Sequence, residues 1–528
     1  MVLLAALMLA PLVAGFFGKG SFEAVYGQAP GEGAEEASQK RTLLFEALGR
    51  SGWVGLGATF VALVLGLPAA WALSRRRTFG RLALCALPLA LAPSAAVSGW
   101  LYWCAPATVQ SSFAVQLPDA SGPGPLFSIS GAALVLGLGL WPIVAFEAWP
   151  AFARARGEPY AAAILAGSPV RAFFKIVLPL SSGELAAGAL LVFLLASNDF
   201  TVSSLLLVRT LPIEMYDQLA LGQYGSAAWT AFPLAALTVA LALVLMRVQR
   251  VATLDGQPTA TPVTSGRVNF ACDLVLWLGI ALGFLVPLVG CARGAFKGGQ
   301  PLGVAFGAGW PAFLVTLRLA GAAALFTILL AALRIVFWPQ AGSGALNLAA
   351  LLLIAVPGTF LAAGVLAGQA QLGRFCDVFG SSGADFYRGI PESLYLCAGF
   401  VLRFLYLPLR LAEEGLRRVD PALLETAELA GHSRISRGLG VALPLSVRHL
   451  AAAGALVFVL VMGELPLADR LAPPKAVPLS VWLFQQQHLG YTEAVFALSL
   501  LAGGAALVAV GVPAVFLRGW RLRSVGSP

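Results

Sequence analysis

The sequence predicts an all-α integral membrane protein of about twelve transmembrane helices in two parallel six-helix repeats, an expectation that rests on composition, segment length and internal duplication. Of 528 residues, 59% are hydrophobic and 11% charged, with a mean hydropathy of +0.84. That is more apolar surface than one soluble core can hide. The apolar residues come in blocks of ~20, the length a helix needs to cross ~30 Å of hydrocarbon while satisfying its own backbone hydrogen bonds. Alternating ten-residue patterns are absent, which argues against a β-barrel. Self-similarity supplies the third observation: Gly167 and Gly431 lie in similar loops 264 residues apart, and the pairs Leu178-Pro179 and Leu443-Pro444 lie 265 apart.

In chain order the expected spans are residues 2–17, 54–73, 82–103, 129–146, 185–208, 227–246, 274–289, 313–337, 345–366, 394–409, 450–462 and 494–517. The segment 2–17 is short, contains Pro11 and has the look of a signal-type apolar region. No Lys or Arg precedes it, and removing it leaves eleven helices, so retention is the expectation. The net charge of +9 does not point to nucleic acid, because Lys and Arg sit at the ends of apolar blocks instead of on a basic face. Arg75, Arg76, Arg77 and Arg81 follow one block, Arg247 and Arg250 another, and Arg410, Arg417, Arg418, Arg434 and Arg437 fill a long connector. The positive-inside rule places these connectors, the tail with Arg518, Arg521 and Arg523, and both termini in the cytoplasm.

A polar stretch at the midpoint, with the composition of a linker, divides the chain into residues 1–255, a cytoplasmic linker over 256–269, and residues 270–528. Asp199 lies 20 residues after Pro179 and Glu464 lies 20 after Pro444. Each acid falls within or at the end of an apolar span, where an unpaired charge is costly and a functional or interface role is the default reading. Asn198, Asp199 and Glu464 are therefore the candidates for a translocation pathway, against the alternative that they only hydrogen-bond between helices or lie at the outer surface. Arg318 and Arg403 read as snorkelling anchors or structural ion pairs. Six scattered cysteines, with no C-x-x-C pair, read as apolar packing residues, a disulfide at Cys376 being the minor alternative. The three histidines are isolated, so neither a metal site nor a cofactor is expected.

The two similar loops span 158–179 and 425–444. Each reads as a helix ended by glycine in the left-handed conformation, at Gly167 and Gly431. A second short helix follows, expected to stop where the Leu-Pro pair leads into the next span. A polar-side helix-Gly-helix element present twice in matching register is shaped to dock into another protein's groove. These residues resemble the EAA motif of binding-protein-dependent ABC importer permeases: Glu-Ala-Ala, three residues, Gly, then a stretch ending in Leu-Pro. Glu425, Ala427, Gly431, Leu443 and Pro444 fall at the family's positions. The earlier loop departs from the pattern. Glu158 lies three residues upstream of Ala161, which stands at the glutamate position; Ala162 and Gly167 follow, and Pro179 is one residue closer to its glycine than Pro444 is to Gly431.

The resemblance extends from about Val54 to Leu517, and fused duplicates of this kind are typical of ferric iron and thiamine permeases. The segments around Gly66-Leu67-Pro68 and Glu464-Leu465-Pro466 look more like the iron branch. The resemblance implies a MetI-like fold, a bacterial inner-membrane location, and ABC ATPase subunits, as a homodimer, docked on both loops from the cytoplasmic side. It also implies an extracytoplasmic substrate-binding protein outside. No G-x-x-x-x-G-K-[ST] occurs, so ATP hydrolysis is expected in a separate subunit and the chain is not expected to be an enzyme. Rival readings are an ion-coupled secondary transporter, which needs connected titratable groups at mid-membrane, and a membrane enzyme, which needs a polar catalytic cluster.

Overall fold

Why apolar blocks become helices and where they break follow from backbone chemistry. In lipid every backbone N–H and C=O needs an internal partner, so runs free of breakers stay helical, and prolines and polar residues set the interruptions. The computed structural model describes residues 34–75, 79–104, 125–155, 160, 169–251, 266–297, 302–338, 344–417, 419–490 and 492–524. In chain order these form α1 (Ala34–Arg75), α2 (Phe79–Ala90), α3 (Pro93–Cys104), α4 (Ile129–Ala155), α5 (Pro169–Ala172), α6 (Leu178–Leu180), α7 (Ser182–Ser197), α8 (Thr201–Leu205), α9 (Leu211–Ala220) and α10 (Tyr224–Val251). After them come α11 (Gly266–Ile280), α12 (Val286–Ala295), α13 (Leu302–Phe337), α14 (Gly344–Ala355), α15 (Gly358–Asp377), α16 (Gly380–Gly389), α17 (Glu392–Phe404) and α18 (Tyr406–Leu416). The last are α19 (Pro421–Leu429), α20 (Arg434–Arg437), α21 (Leu443–Gly463), α22 (Pro466–Leu471), α23 (Leu479–Leu489) and α24 (Glu493–Ser524).

Among the described residues six helical runs are long and apolar enough to cross a bilayer, and up to nine if each of three bent pairs counts as one span. The chain is therefore a multi-pass, membrane-embedded, all-helical protein. Large apolar side chains on its outside agree: Leu56, Phe60 and Val64 on α1, and Leu325, Leu329 and Leu333 on α13, are exposed at intervals of four residues. Such stripes suit lipid and would be unfavourable in water. The segment 2–17 lies outside the described residues.

Several expected spans differ from the observed elements. The run 82–103 is broken at Leu91–Ala92, with α2 and α3 bent by 81°. Pro93 has no N–H and disfavours helical geometry in the residue before it. Pro357 breaks the run 345–366 in the same way, between α14 and α15. The run 185–208 stops at Ser197, because Asn198 and Asp199 turn the chain into the short α8. The linker ends sooner than expected: residues 256–265 lie outside the described residues, and 266–269 already belong to α11.

Element boundaries recur at a fixed interval. Phe79–Ala90 and Gly344–Ala355 are offset by 265 at both ends, as are Pro169–Ala172 and Arg434–Arg437; Pro93 and Gly358, and Thr201 and Pro466, start helices at the same offset. The π-helical turns Phe173–Val177 and Gly438–Ala442 also match at 265. Each is closed by an i→i−5 bond, Leu178 N–H to Phe173 O and Leu443 N–H to Gly438 O, and a third, Ala281–Leu285, by Val286 N–H to Ala281 O. All three end two residues before a proline, Pro179, Pro444 or Pro287. The pyrrolidine ring crowds the carbonyl four residues back, and widening the turn moves that carbonyl away without ending the helix.

This corrects the expectation that Leu443-Pro444 stops a helix. Residues Arg434–Gly463 form one continuous run of 30 residues. In the earlier copy the run bends by 66°, between Phe173–Leu180 and Ser182–Ser197.

Close helix approach depends on small residues. A side chain at Gly57 would meet Ala133, at Gly137 Val61, and at Gly66 Val144, so α1 and α4 pack backbone to backbone. The largest buried cluster joins segments far apart in sequence: Val97, Phe200 and Leu205 pack with Phe400, Val457, Leu465 and Phe484. Gln487 Nε2 adds a polar tie, donating to Ser98 Oγ at 2.6 Å and Ser94 O at 3.1 Å.

Candidate functional site

Two places gather the residues singled out from the sequence. At the surface, α19 is capped at both ends by its own sequence. Asp420 accepts from Ala422 N–H at 3.0 Å, with Pro421 in the first turn. At the other end Gly431 has φ +83°. Gly431 N–H donates to Glu428 O at 2.9 Å and His432 N–H to Ala427 O at 3.0 Å, the paired bonds of a Schellman cap. Ser433 then caps α20 by accepting from Ser436 N–H. Arg437 pairs back onto Glu428, which fixes the angle between α19 and α20.

Only Leu424 of α19 is buried. Glu425 is exposed, Ala427 half-buried, and Leu429 90% exposed. Gly438 seats the following turn against α13: a Cβ there would lie 2.4 Å from Val336 O. Leu443 and Pro444 open α21 directly behind it. Of the earlier loop, Glu158, Ala161, Ala162 and Gly167 lie outside the described residues; Pro179 sits in α6 behind its own π turn. Tyr160 is buried against Trp71, ring centroids 5.8 Å apart, and Trp71 also meets Phe173 at 5.3 Å. The helices leading into the two loops come within electrostatic reach of each other. Glu147 of α4 lies within electrostatic reach of Arg410 and Glu414 of α18, and Arg154 pairs with Glu184 in the same region.

At the far end of α7 and α21, a cavity of about 250 Å³ is lined by Asn198, Asp199, Arg403 and Glu464 among mostly apolar residues. Its lining repeats the 265 offset: Leu191 and Leu456, Leu195 and Leu460, Asp199 and Glu464, Thr201 and Pro466. With α21 of 21 residues, a rise of ~1.5 Å per residue puts Glu464 about 30 Å from Leu443, a hydrocarbon thickness away. Asp199 Oδ2 accepts from Val202 N–H at 2.8 Å and Ser203 N–H at 3.1 Å, satisfying the start of α8. Glu464 does something else. Its Oε2 lies 3.1 Å from Arg403 Nε, and Arg403 Nη1 donates to Val356 O at 3.1 Å, the carbonyl freed by the break before α15. Gly358 makes room, since a Cβ there would come within 2.7 Å of Glu464 Oε1. Arg403 is thus a buried ion-pair partner, while Arg318 is exposed on α13.

Sequence reasoning missed the ring of contacts beside this cavity. Tyr216 Oη donates to Asp469 Oδ2 at 2.6 Å, and the Arg470 guanidinium lies 3.7 Å from the Tyr216 ring centroid. Tyr216 also stacks on Phe200 at 4.6 Å. These contacts tie α9 to α22 across some 250 residues of sequence, a distance no local pattern reveals. Tyr216→Phe keeps the ring and removes one bond to a charged acceptor, an expected loss of about 1.5–3 kcal/mol. Thermal unfolding in detergent reads it; an unchanged midpoint would mean that the bond holds nothing. Cys376 and the other five cysteines are free.

A scan against protein-family models finds no match to the chain.

Proposed function

We propose that this chain is the membrane-spanning permease of an ATP-driven, binding-protein-dependent ABC importer, two six-helix halves fused in one polypeptide with a MetI-like fold. In this reading it lies in a bacterial inner membrane with both termini inside. The carrying observation is α19 with its glycine cap: a rigid, doubly capped, exposed helix rooted through Gly438 and α21 in the transmembrane core. Such an element transmits a push. The 265-residue recurrence and the electrostatic reach between Glu147 of α4 and Arg410 and Glu414 of α18 support a second lever on the same face. Two ATP-binding subunits, closing together, would move both levers and shift the halves between inward-open and outward-open shapes. The chain supplies the bistable element, its partner the energy, and an outer binding protein the substrate. Resemblance ranks ferric iron first as that substrate and thiamine next.

The chain purified from its native membrane should carry an ABC ATPase. Leu429→Glu should lower ATP-dependent uptake in proteoliposomes without changing thermal stability, because Leu429 is 90% exposed and holds nothing in the fold. Absence of any ATPase, with uptake unaffected by Leu429→Glu, would sink the proposal. One observation favours a second reading: Asp199, Arg403 and Glu464 share a cavity, as an ion-coupled secondary transporter requires. Uptake driven by an ion gradient without ATP would select it.

A further inference from the structure

The cavity at the end of α7 and α21 holds one more carboxylate than cation. Asp199 and Glu464 face it, and Arg403 is the one Lys or Arg among its described lining residues. Two of its oxygens are also idle. Asn198 is 7% and Glu464 8% exposed, and both Asn198 Oδ1 and Glu464 Oε1 are buried acceptors with no hydrogen-bond partner. Turning the Asn198 amide does not cure this, because its Nδ2 already donates to Leu194 O at 2.8 Å and Thr238 Oγ1 at 3.3 Å. An unsatisfied buried acceptor is costly, more so for a carboxylate. The site therefore offers oxygen atoms aimed at nothing in the protein. Carboxylate and carbonyl oxygens suit hard cations.

Resting on the permease reading, we propose that Asn198, Asp199 and Glu464 form a transit site for a hard, oxygen-seeking metal cation, and that Arg403 is its built-in competitor. The guanidinium pairs with Glu464 Oε2 and leaves Oε1 without a hydrogen-bond partner. Gly358 gives it the space to do so. A cation entering beside Asp199 competes with Arg403 for Glu464. Among the described residues no three His, Cys, Asp or Glu side chains gather to hold a metal, and leucines line the way onward. The site is built to pass a cation, not to store one.

The test is Tb³⁺ binding to the full chain in nanodiscs of neutral lipid, read by emission sensitised through Tyr406, which lines the cavity. Wild type should give a saturable signal that disappears in the Asp199→Asn, Glu464→Gln double variant. Arg403→Gln should bind Tb³⁺ about tenfold more tightly or better, the effect of removing a competing charge. Where Arg403→Gln fails to fold, Arg403→Lys, which keeps the charge but not the forked reach, should tighten binding several-fold. A signal unchanged by the carboxylate variant, or an affinity unchanged or lower in the Arg403 variant that folds, overturns the proposal. No ATP enters this experiment. Failure with ATPase association intact removes the cation site alone, and loss of that association with Tb³⁺ binding intact removes the permease reading alone.

Discussion

Gly431→Val should lower ATP-driven uptake about tenfold or more while leaving the thermal stability of the protein nearly unchanged. Gly431 has φ +83° and no atom within 4 Å of where a Cβ would stand, so the effect is not a clash. It is a backbone effect. Left-handed geometry costs an L-residue ~1–2 kcal/mol, and a β-branched one is a true outlier there. To relieve this the chain must give up the two bonds that close α19, Gly431 N–H to Glu428 O and His432 N–H to Ala427 O. The helix then frays at the end that carries the exposed Leu429, and its angle to α20 is lost. A loss of ~1.4 kcal/mol in coupling is tenfold in rate, which a transport cycle feels and a thirty-residue transmembrane run does not. Gly431→Asn, tolerant of the left-handed region, should keep about half of wild-type uptake or more. If valine transports within about twofold of wild type, α19 is not a lever.

The cap at Gly431 was readable in the sequence because its cause is local: a helix-favouring run, then a residue without a Cβ. The breaks at Pro93 and Pro357 were equally local, yet a hydropathy reading joins the segments on either side, since a proline costs a span nothing in apolar content. The π turns before Pro179, Pro287 and Pro444 show why a Leu-Pro pair reads as a stop in the sequence and is not one in the fold. Sequence shows the missing N–H; only backbone geometry shows the wider turn that absorbs it. Asp199 and Glu464 were found as charges inside apolar runs, but their roles were not, because the sequence does not say that Arg403 lies against one of them and the start of α8 against the other. The Tyr216–Asp469–Arg470 contacts had no local signature at all.

Arg403→Met should destabilise the protein by about 3–5 kcal/mol, the cost of leaving a buried partner charge uncompensated. The Arg403 and Glu464 side chains are 11% and 9% exposed, so solvent does little to screen them. Removing the guanidinium strands Glu464 and also the Val356 carbonyl that Arg403 satisfies at the break between α14 and α15. Arg403→Met combined with Glu464→Leu should recover most of that loss, because a buried ion pair replaced by apolar groups of similar volume is often neutral or better. Unfolding of wild type, the single variant and the double variant in one detergent reads the difference; a double variant no more stable than the single would show that the pair is not coupled as the geometry requires. Gly358→Ala probes the same pair without touching a charge, since its Cβ would lie 2.7 Å from Glu464 Oε1 and 3.2 Å from Arg403 Nη1. The decisive comparison is then between stability and transport in the double variant. A pair kept only to hold α15, α17 and the end of α21 together would leave a stable double variant that still transports, whereas a pair that lines the path would leave one that folds and does not.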